Sequence, residues 1–596
     1  MRRRRTRTRQ ATRAWAIMEQ RPSPDRRIPM RRLALLGFAL CLAAPARADM
    51  PLATTPAWTS TALGHVATGG GWADLDGDGW VDFVAANGND MARQTVVVYR
   101  NNGAGGLPLA PTWSSSDIDY HGHLDLGDVN GDGLIDLVVG VYLGPAGFGN
   151  PGKAKLYLGN GAGGFTPTPV WSTGTPLYCF SVALGDVNGD GRLDLACAAG
   201  ESYEAHPERL RVYLNTGGSL PALPSWESSD IGYALDVTWC DVDLDGDLDL
   251  AASGEISRNR VYFNRYGEGG GLDTVAGWTS GDTPSYANTI AFGDWNGDGT
   301  PDLAVADNNQ LGGAGRFKVY ANTAGALGAT PAWQSSNGGY GSHVSWVDLD
   351  LDGDRDLAAG RWWGAVRLYE NTGGGLTTAP VWQSSTSSVI ENLFWEDVDN
   401  DGLLSNGLTV AVGDGARRGV QLAAAPVRAV LSVTVDGTPL AASEYVLHPA
   451  TGWLALAAAP APGAQVAVAF RYSRDLDLGC TNWDSTLGNY LFLNTGTLVG
   501  APETTPLGFS LAAAPNPLRA RTVLRYRGEG AGAASLAIFD LQGRRVKSLH
   551  AGALPGGLLS WEWDARDEGG QRQAAGVYFA RFVADGHEAS VKLILL

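Results

Sequence analysis

Oxygen-bearing side chains stand at positions 1, 3, 5 and 9 of a nine-residue loop that recurs seven times in this chain. The first copy holds Asp74, Asp76, Asp78 and Asp82, and the second Asp128, Asn130, Asp132 and Asp136. The third holds Asp186, Asn188, Asp190 and Asp194, and the fourth Asp241, Asp243, Asp245 and Asp249. The fifth holds Asp294, Asn296, Asp298 and Asp302, and the sixth Asp348, Asp350, Asp352 and Asp356. The seventh opens with Asp397, Asp399 and Asp401 but carries Ser405 at its ninth position. A hard cation such as calcium takes six to eight oxygens, and alternate carboxylates on a tight loop supply them. Position 6 is glycine in every copy, Gly79 to Gly402, as a sharp turn requires. The expectation is a structural calcium ion in each loop, up to seven in all.

An EF-hand would place glutamate at position 12, where the second copy has Val139. Short β-branched runs such as Leu137, Val138 and Val139 follow the loops instead, so strands flank them. The loops start 54, 58, 55, 53, 54 and 49 residues apart. A tryptophan precedes each: Trp58, Trp113, Trp171, Trp226, Trp278, Trp333 and Trp382. Tyr99, Tyr157, Tyr213, Tyr262, Tyr320, Tyr369 and Phe492 mark a strand after each. Four short strands per period make one propeller blade. The fold class is therefore all-β: a seven-bladed β-propeller over residues 49–500. No tryptophan strand follows Phe492, so Trp58 is expected to supply the outer strand of the seventh blade and close the ring.

In the seventh unit Asp477 lies 15 residues before Phe492, against 13 from Asp356 to Tyr369. Asp477 is therefore the expected ninth ligand, displaced by a small β insert at 403–474. Alternating strands are expected there at Val430–Val435, Tyr445–Leu447, Gly452–Leu456 and Val466–Tyr472. Residues 505–596 read as a β-sandwich broken by glycine turns.

The run from Leu126 to Gly140, with Asp128, Asn130, Asp132, Gly133 and Asp136 inside it, resembles the FG-GAP/VCBS repeats of integrin-α-like calcium propellers. That resemblance spans roughly residues 50–500 and implies extracellular binding or adhesion more than catalysis. The tail, through Leu536–Asp540, Gly543, Trp563, Gly576 and Tyr578, resembles FlgD-type Ig-like domains and the related sorting domains of type IX secretion. That likeness implies recognition by secretion machinery; a plain Ig-like stalk is the alternative.

Residues 1–48 read as a leader and signal peptide. The expected start is Met30, followed by Arg31 and Arg32, an apolar run from Leu33 to Ala44, and a small-x-small site ending at Ala48. The run is too short to span a bilayer, and no transmembrane segment is expected later. Secretion or attachment to the outer cell surface follows. Removing that segment takes away thirteen arginines against Glu19 and Asp25, so the net charge moves from -18 to -29. Such acidity argues against nucleic-acid binding. Cys179, Cys197, Cys240 and Cys480 remain, and their spacing leaves three pairings open.

Eight residues before each loop aspartate, five units carry Tyr120, Tyr178, Tyr233, Tyr286 and Tyr340. Five residues before it, His123, Asp236 and His343 stand among small polar residues. Eight residues of strand cover roughly 26 Å, so these columns are expected at the mouth opposite the loops. Aromatic faces beside polar groups suit a glycan or an extracellular protein. HExxH, GxSxG and P-loop patterns do not occur, so no catalytic residue is assigned. A carbohydrate-active lyase or hydrolase, and a purely structural surface module, are the alternatives.

Overall fold

In the computed structural model, residues 50–495 and 510–596 are described, apart from 267–268, 283–284, 309, 311–314, 374, 403, 515, 529–532, 555–556 and 585–586. The leader and its cleavage site lie outside the described residues. Among the described residues the structure is built from strands, with a short 3-10 turn at Ala442–Glu444. Among the described residues no helix is long and apolar enough to cross a membrane.

In sheets 1 to 6 the nine-residue loop directly joins the first two strands of the four-stranded antiparallel repeat. Sheet 1 runs Ala67–Ala73, Asp82–Asn87, Val97–Tyr99 and Trp113–Ser114. Sheets 2 to 6 repeat that order, and sheet 5 gains a fifth strand, Glu255–Ser257. Sheet 7 runs Ile390–Glu396, Asp477–Asn482, Tyr490–Phe492 and then Trp58–Thr59 from the start of the described chain. Trp58 stands opposite Leu491 in register. The first strand of each sheet packs beside that of the next, and Ile390–Glu396 packs beside Ala67–Ala73. The seven sheets thus form a closed series, with no edge left at its seam.

Apolar residues at fixed offsets hold the sheets together. The outer Trp58 ring meets Tyr99 of sheet 1 edge-on at 5.4 Å. Trp171 meets Tyr213 at 5.5 Å, and Trp278 meets Tyr320 at 5.6 Å, in the same way. Such pairs add about 0.5–1.5 kcal/mol beyond the area they bury. Near the axis, the indole N–H of Trp239 donates to the Ala183 carbonyl and that of Trp346 to the Ala291 carbonyl, at 3.1 and 3.2 Å. A Cβ at Gly185 would lie 2.6 Å from the Trp239 ring, so glycine is what lets the indole come close. Cys179, Cys197, Cys240 and Cys480 are all free thiols.

Residues 404–473 leave sheet 7 between its first two strands and make two small sheets. One holds Leu404–Val412, Gln465–Ser473, Ala429–Val435 and Thr438–Pro439; the other holds Gly419–Gln421, Trp453–Leu456 and Tyr445–His448. Three of these strands, Leu404–Val412, Gly419–Gln421 and Thr438–Pro439, are additional to those read from the sequence. The tail contributes a sheet of Arg545–Ala553, Ala533–Asp540, Gly576–Ala584 and His587–Leu595, packed over Trp561 and Trp563. Its other three strands do not form a separate sheet. Gly557–Trp563 pairs in parallel with Leu404–Val412, setting Leu408 opposite Leu559 and Val410 opposite Trp561. Both segments therefore share one seven-stranded sheet. Residues 50–596 form one compact unit rather than separate parts.

Candidate functional site

The loops are shaped by their own carboxylates. In the first six copies the position 1 aspartate accepts the amide of the position 6 glycine: Asp74 from Gly79 at 2.9 Å, Asp128 from Gly133 at 2.8 Å and Asp186 from Gly191 at 2.7 Å. Asp241, Asp294 and Asp348 do the same for Gly246, Gly299 and Gly353. Gly79 and Gly133 adopt φ of 89° and 86°, the left-handed region where glycine carries no penalty. Position 4 is also left-handed, and there Leu244 and Leu351 hold φ of 64° and 63° with side chains that disfavour it.

The position 9 aspartate is a structural pin. Asp136 accepts the Val129 amide at 2.9 Å from its own loop and the Gly159 amide at 2.9 Å from the third strand. Asp82, Asp194, Asp249, Asp302 and Asp356 make the matching pairs with Leu75 and Asn101, Val187 and Asn215, Val242 and Asn264, Trp295 and Asn322, and Leu349 and Asn371. In sheet 7 Asp477 receives the equivalent bonds, from Val398 and Asn494, both at 2.8 Å. In sheets 1 and 3 to 6 an asparagine just past the third strand reaches back to the preceding loop. Asn215 donates to the Val129 carbonyl at 2.7 Å, and Asn101 donates to Val398 across the seam at 3.1 Å.

The loop carboxylates also accept amides within the loop, Asp74 from Gly77, Asp78 and Gly79, and several of them converge. Oxygens of Asp74, Asp76 and Asp78 lie within 4.8 Å of one another, as do those of Asp241, Asp243 and Asp249, of Asp348, Asp350 and Asp352, and of Asp397, Asp399 and Asp477. One oxygen each of Asp241, Asp243 and Asp397 is buried without a hydrogen bond. Burial pushes the Asp82 and Asp136 carboxyls up to about 6, and neighbouring aspartates add to it. Asp302 rises to about 7, Asp356 and Asp477 to about 8, and Asp249 to about 9, for the same reason. Crowded, desolvated carboxylates with spare oxygens fit a divalent cation, which would reverse those shifts. Asn130, Asn188 and Asn296 replace one carboxylate by an amide oxygen in the second, third and fifth loops. Their partners Asp132, Asp190 and Asp298 accept backbone amides two residues on.

Loop 7 is built differently. Asp401 and Asp399 remain, but Asp397 accepts the Ser473 hydroxyl at 2.7 Å. Asp475 joins the cluster, its carboxyl raised to about 7 by burial and by Asp401, Asp397 and Asp399. Neither Ser473 nor Asp475 follows from the loop pattern, because both arrive from the far end of the 404–473 excursion. Arginines border several loops: Arg100 pairs with Asp76, Arg265 with Asp243 at 3.2 Å, and Arg525 of the tail with Asp294 at 3.2 Å.

At the opposite ends of the sheets, the expected columns behave unequally. Among the described residues no ring contact pairs any two of the five tyrosines, although Tyr120 packs on the apolar cluster that holds Tyr178. Tyr178 is buried, spends its hydroxyl on the Phe148 carbonyl at 2.7 Å and stacks on His206 at 5.1 Å. Tyr340 lies edge-on to Trp363 at 5.2 Å, Tyr286 stands opposite Glu255, and Tyr120 packs beside Phe180. The carbonyl of Tyr233 accepts the Glu255 amide at 2.9 Å. His123, Asp236 and His343 do meet, although they come from sheets 2, 4 and 6. His123 Nδ1 is 3.9 Å from Asp236 Oδ1, and the two imidazoles are 6.4 Å apart. Asp236 also accepts the Ser181 hydroxyl at 2.7 Å. Burial lowers the His343 pKa to about 3, so that ring is neutral.

Four acids at this end escape the column reading: Asp90, Glu201, Glu255 and Glu391. Each occupies a different offset in its sheet, so no repeat marks them.

FG-GAP-like repeats match residues 74–139, 141–197, 241–305, 296–359 and 348–405, and a FlgD Ig-like domain matches 524–587. The chain is thus an all-β protein of propeller type that carries FG-GAP-like repeats and ends in a FlgD Ig-like domain. Integrin alpha-4 of Xenopus laevis is 28% identical over 151 residues, 23% of this chain and 14% of that protein. The chain therefore spans only a small part of that relative's length. Among solved structures, BBS1N in complex with ARL6DN overlaps at a TM-score of 0.39 and 10% identity, covering 60% of this chain and 93% of that one. The computationally designed Ika8 protein overlaps at 0.36 and 11% identity, covering 73% and 99%.

Proposed function

We propose that this protein is a secreted or surface-held binding module, a seven-bladed propeller whose loops hold up to seven structural calcium ions. The loop geometry carries this reading: carboxylates converge in the first, fourth, sixth and seventh loops, including the one where Asp477 is brought back across 404–473, and the other three keep the pattern with an asparagine at position 3. Asp74, Asp76, Asp78 and their counterparts would ligate the ion. The position 9 aspartates would bind it while pinning the loop to the third strand. Calcium would supply charge neutralisation there and stiffen the ring, leaving recognition to the faces of the propeller.

The FG-GAP-like repeats, of integrin-alpha type, favour an extracellular ligand, and we place that ligand, a glycan or a protein, at the mouth away from the loops. The excursion at 403–474 and the tail at 505–596 are read as accessory β units, the tail as a FlgD-like element with a sorting role. Capture on arrays of glycans and extracellular proteins, with calcium and after chelation, tests the function. Calcium-dependent capture by the ring supports it, and an absence of capture in both conditions would leave the module purely structural.

A further inference from the structure

One position of the repeat carries a cation in five sheets. Two residues before the marker tyrosine of the third strand stand Lys155, Arg211, Arg260, Lys318 and Arg367. In sheets 2, 3 and 5 the chain supplies the counter-ion. Lys155 bridges Asp117 and Asp119, Arg211 lies 3.3 Å from Glu227, and Lys318 lies 2.6 Å from both Asp282 and Asp307. Sheet 4 keeps Asp230 four residues after its tryptophan, the offset of Asp117 and Asp282. Sheet 6 has none of these acids. Asn337 stands at the offset of Asp117 and Asp282, and Gly339 at that of Asp119. Gln383 faces Arg367 in register, where Glu227 faces Arg211.

The fourth change reverses a charge. In sheet 5 Val305 pairs with Lys318, so Asp307, two residues on, is its diagonal neighbour, and the two side chains meet. In sheet 6 Ala359 pairs with Arg367, so the same diagonal place belongs to Arg361. The two arginines therefore share one face of strands Asp356–Trp362 and Arg367–Tyr369, with Cα atoms roughly 7–8 Å apart. Nη2 of Arg361 is 3.4 Å from the Gly338 carbonyl, and a Cβ at Gly339 would lie 2.2 Å from that nitrogen. Arg316 of sheet 5 borders the same segment, donating to the Ser335 and Ser336 carbonyls at 2.5 and 3.1 Å. Among the described residues neither Arg361 nor Arg367 has an acidic partner, and Nε of each and Nη1 of Arg367 are buried without a hydrogen bond. The Tyr369 hydroxyl has none either, as at Tyr213 and Tyr262, whereas those of Tyr157 and Tyr320 reach Asp117 and Asp282. Burial and the like charge of Arg367 lower the Arg361 pKa. Both arginines are half-buried, and Asn337 and Gly338 are exposed, so solvent reaches the place.

We propose that the far end of sheet 6 docks an acidic segment of an extracellular protein, seating one aspartate or glutamate carboxylate between Arg361 and Arg367. Sheet 5 marks the position: there the Asp282 carboxylate is held by Lys318 and the Tyr320 hydroxyl. Guanidinium forks pair with a carboxylate through two parallel hydrogen bonds. Trp363, 45% exposed, flanks the place, and the backbone of Gly364 next to it runs against Arg361, whose Nη1 would lie 3.0 Å from a Cβ there. Tryptophan beside arginine is what anchors protein interfaces.

This rests on the binding-module reading and names the chemistry of its partner. The calcium-loaded chain is titrated at fixed ionic strength with acetyl-Gly-Asp-Gly-amide, with the same peptide carrying asparagine, with D-glucuronate and with inorganic phosphate, followed by calorimetry and tryptophan fluorescence. Saturable binding of the aspartyl peptide is expected, with weaker or no binding of the other three. Asn337→Asp supplies the carboxylate from within, as Asp282 does in sheet 5. It should weaken the peptide at least about tenfold, the scale of a charge-assisted hydrogen bond, and raise the melting temperature. Arg367→Gln should weaken the peptide by a similar factor. Equal binding of the asparagine peptide, or tighter binding of glucuronate or phosphate, overturns the proposal. So does an affinity unchanged in both variants, or a melting temperature lowered by Asn337→Asp. Array capture that persists with no saturable peptide binding overturns this site and leaves the binding-module reading standing.

Discussion

The two ends of the ring both gather carboxylates, yet they are built by opposite rules. At the loop end, each sheet repeats one recipe: aspartates at fixed spacing, a glycine that turns the chain, and backbone amides that hold the position 9 carboxylate. At the far end, different sheets contribute different groups: Asp90, Tyr142, Glu201, Glu255 or Glu391. Repetition suits a job done identically in every sheet, such as stiffening a loop with an ion. Variation suits a single site, where unlike groups must face one ligand. The position 9 carboxylates are pinned by backbone N–H donors, while both ends hold buried oxygens without a hydrogen-bond partner, on Asp241 and Asp397 at the loops and on Glu255 and Glu391 at the far end.

The largest effect is expected at the seam that makes both ends possible. Deleting residues 49–62 removes the Trp58–Thr59 strand and leaves Tyr490–Phe492 as a bare edge. Size-exclusion chromatography should then show aggregation, since an open strand edge recruits other chains. A monomer of unchanged stability would show that the ring does not depend on this closure.

Within the loops, pinning and ligation are separable. Asp477→Ala loses two backbone hydrogen bonds as well as a ligand, and should destabilise by roughly 2–4 kcal/mol with or without calcium. Asp401→Ala should destabilise only when calcium is present, because without it the substitution relieves repulsion from Asp399 and Asp475. Chemical denaturation of both variants in the two conditions measures this; equal behaviour would merge the two roles.

A smaller effect is expected from pH. The position 9 carboxyls rise from 3.8 to about 6 in Asp82 and about 8 in Asp356 and Asp477. The folded, calcium-free chain therefore holds more protons than the unfolded one between those values. That contribution to stability is full near pH 4 and is lost as pH rises through 6 to 8. Thermal melts in metal-stripped buffer should fall across that range. Calcium, which binds the deprotonated form, should flatten or reverse the slope. The same downward slope with calcium present would contradict the loop assignment.

The smallest change in stability is expected at the far end. Glu391→Gln should change the melting temperature by no more than a few degrees, since the amide oxygen can still accept the Trp362 indole N–H. A larger loss would mean that the Glu391 charge itself supports the fold.

The sheets and the loop cages were legible because their residues recur: the glycine at position 6, the Trp58 series and the Tyr99 series each mark one strand per period. Even the return of Asp477 could be read, from its distance to Phe492. Two features could not. The parallel pairing of Leu404–Val412 with Gly557–Trp563 joins segments about 150 residues apart through backbone groups, which no side-chain pattern encodes. The far acids are single residues at unmatched offsets, and Glu201, Glu255 and Glu391 resemble ordinary surface charges until the fold buries them. The tyrosine column shares an offset, yet its members meet different partners, Tyr178 stacking on His206 and Tyr340 lying edge-on to Trp363.

Calcium occupancy of the loops is tested most directly by native mass spectrometry of the purified chain, paired with thermal melting before and after chelation. Several bound calcium ions, up to seven, are expected, with a melting temperature that drops sharply on chelation and recovers when calcium is returned. A chain that retains no calcium and melts at the same temperature in both conditions would contradict it.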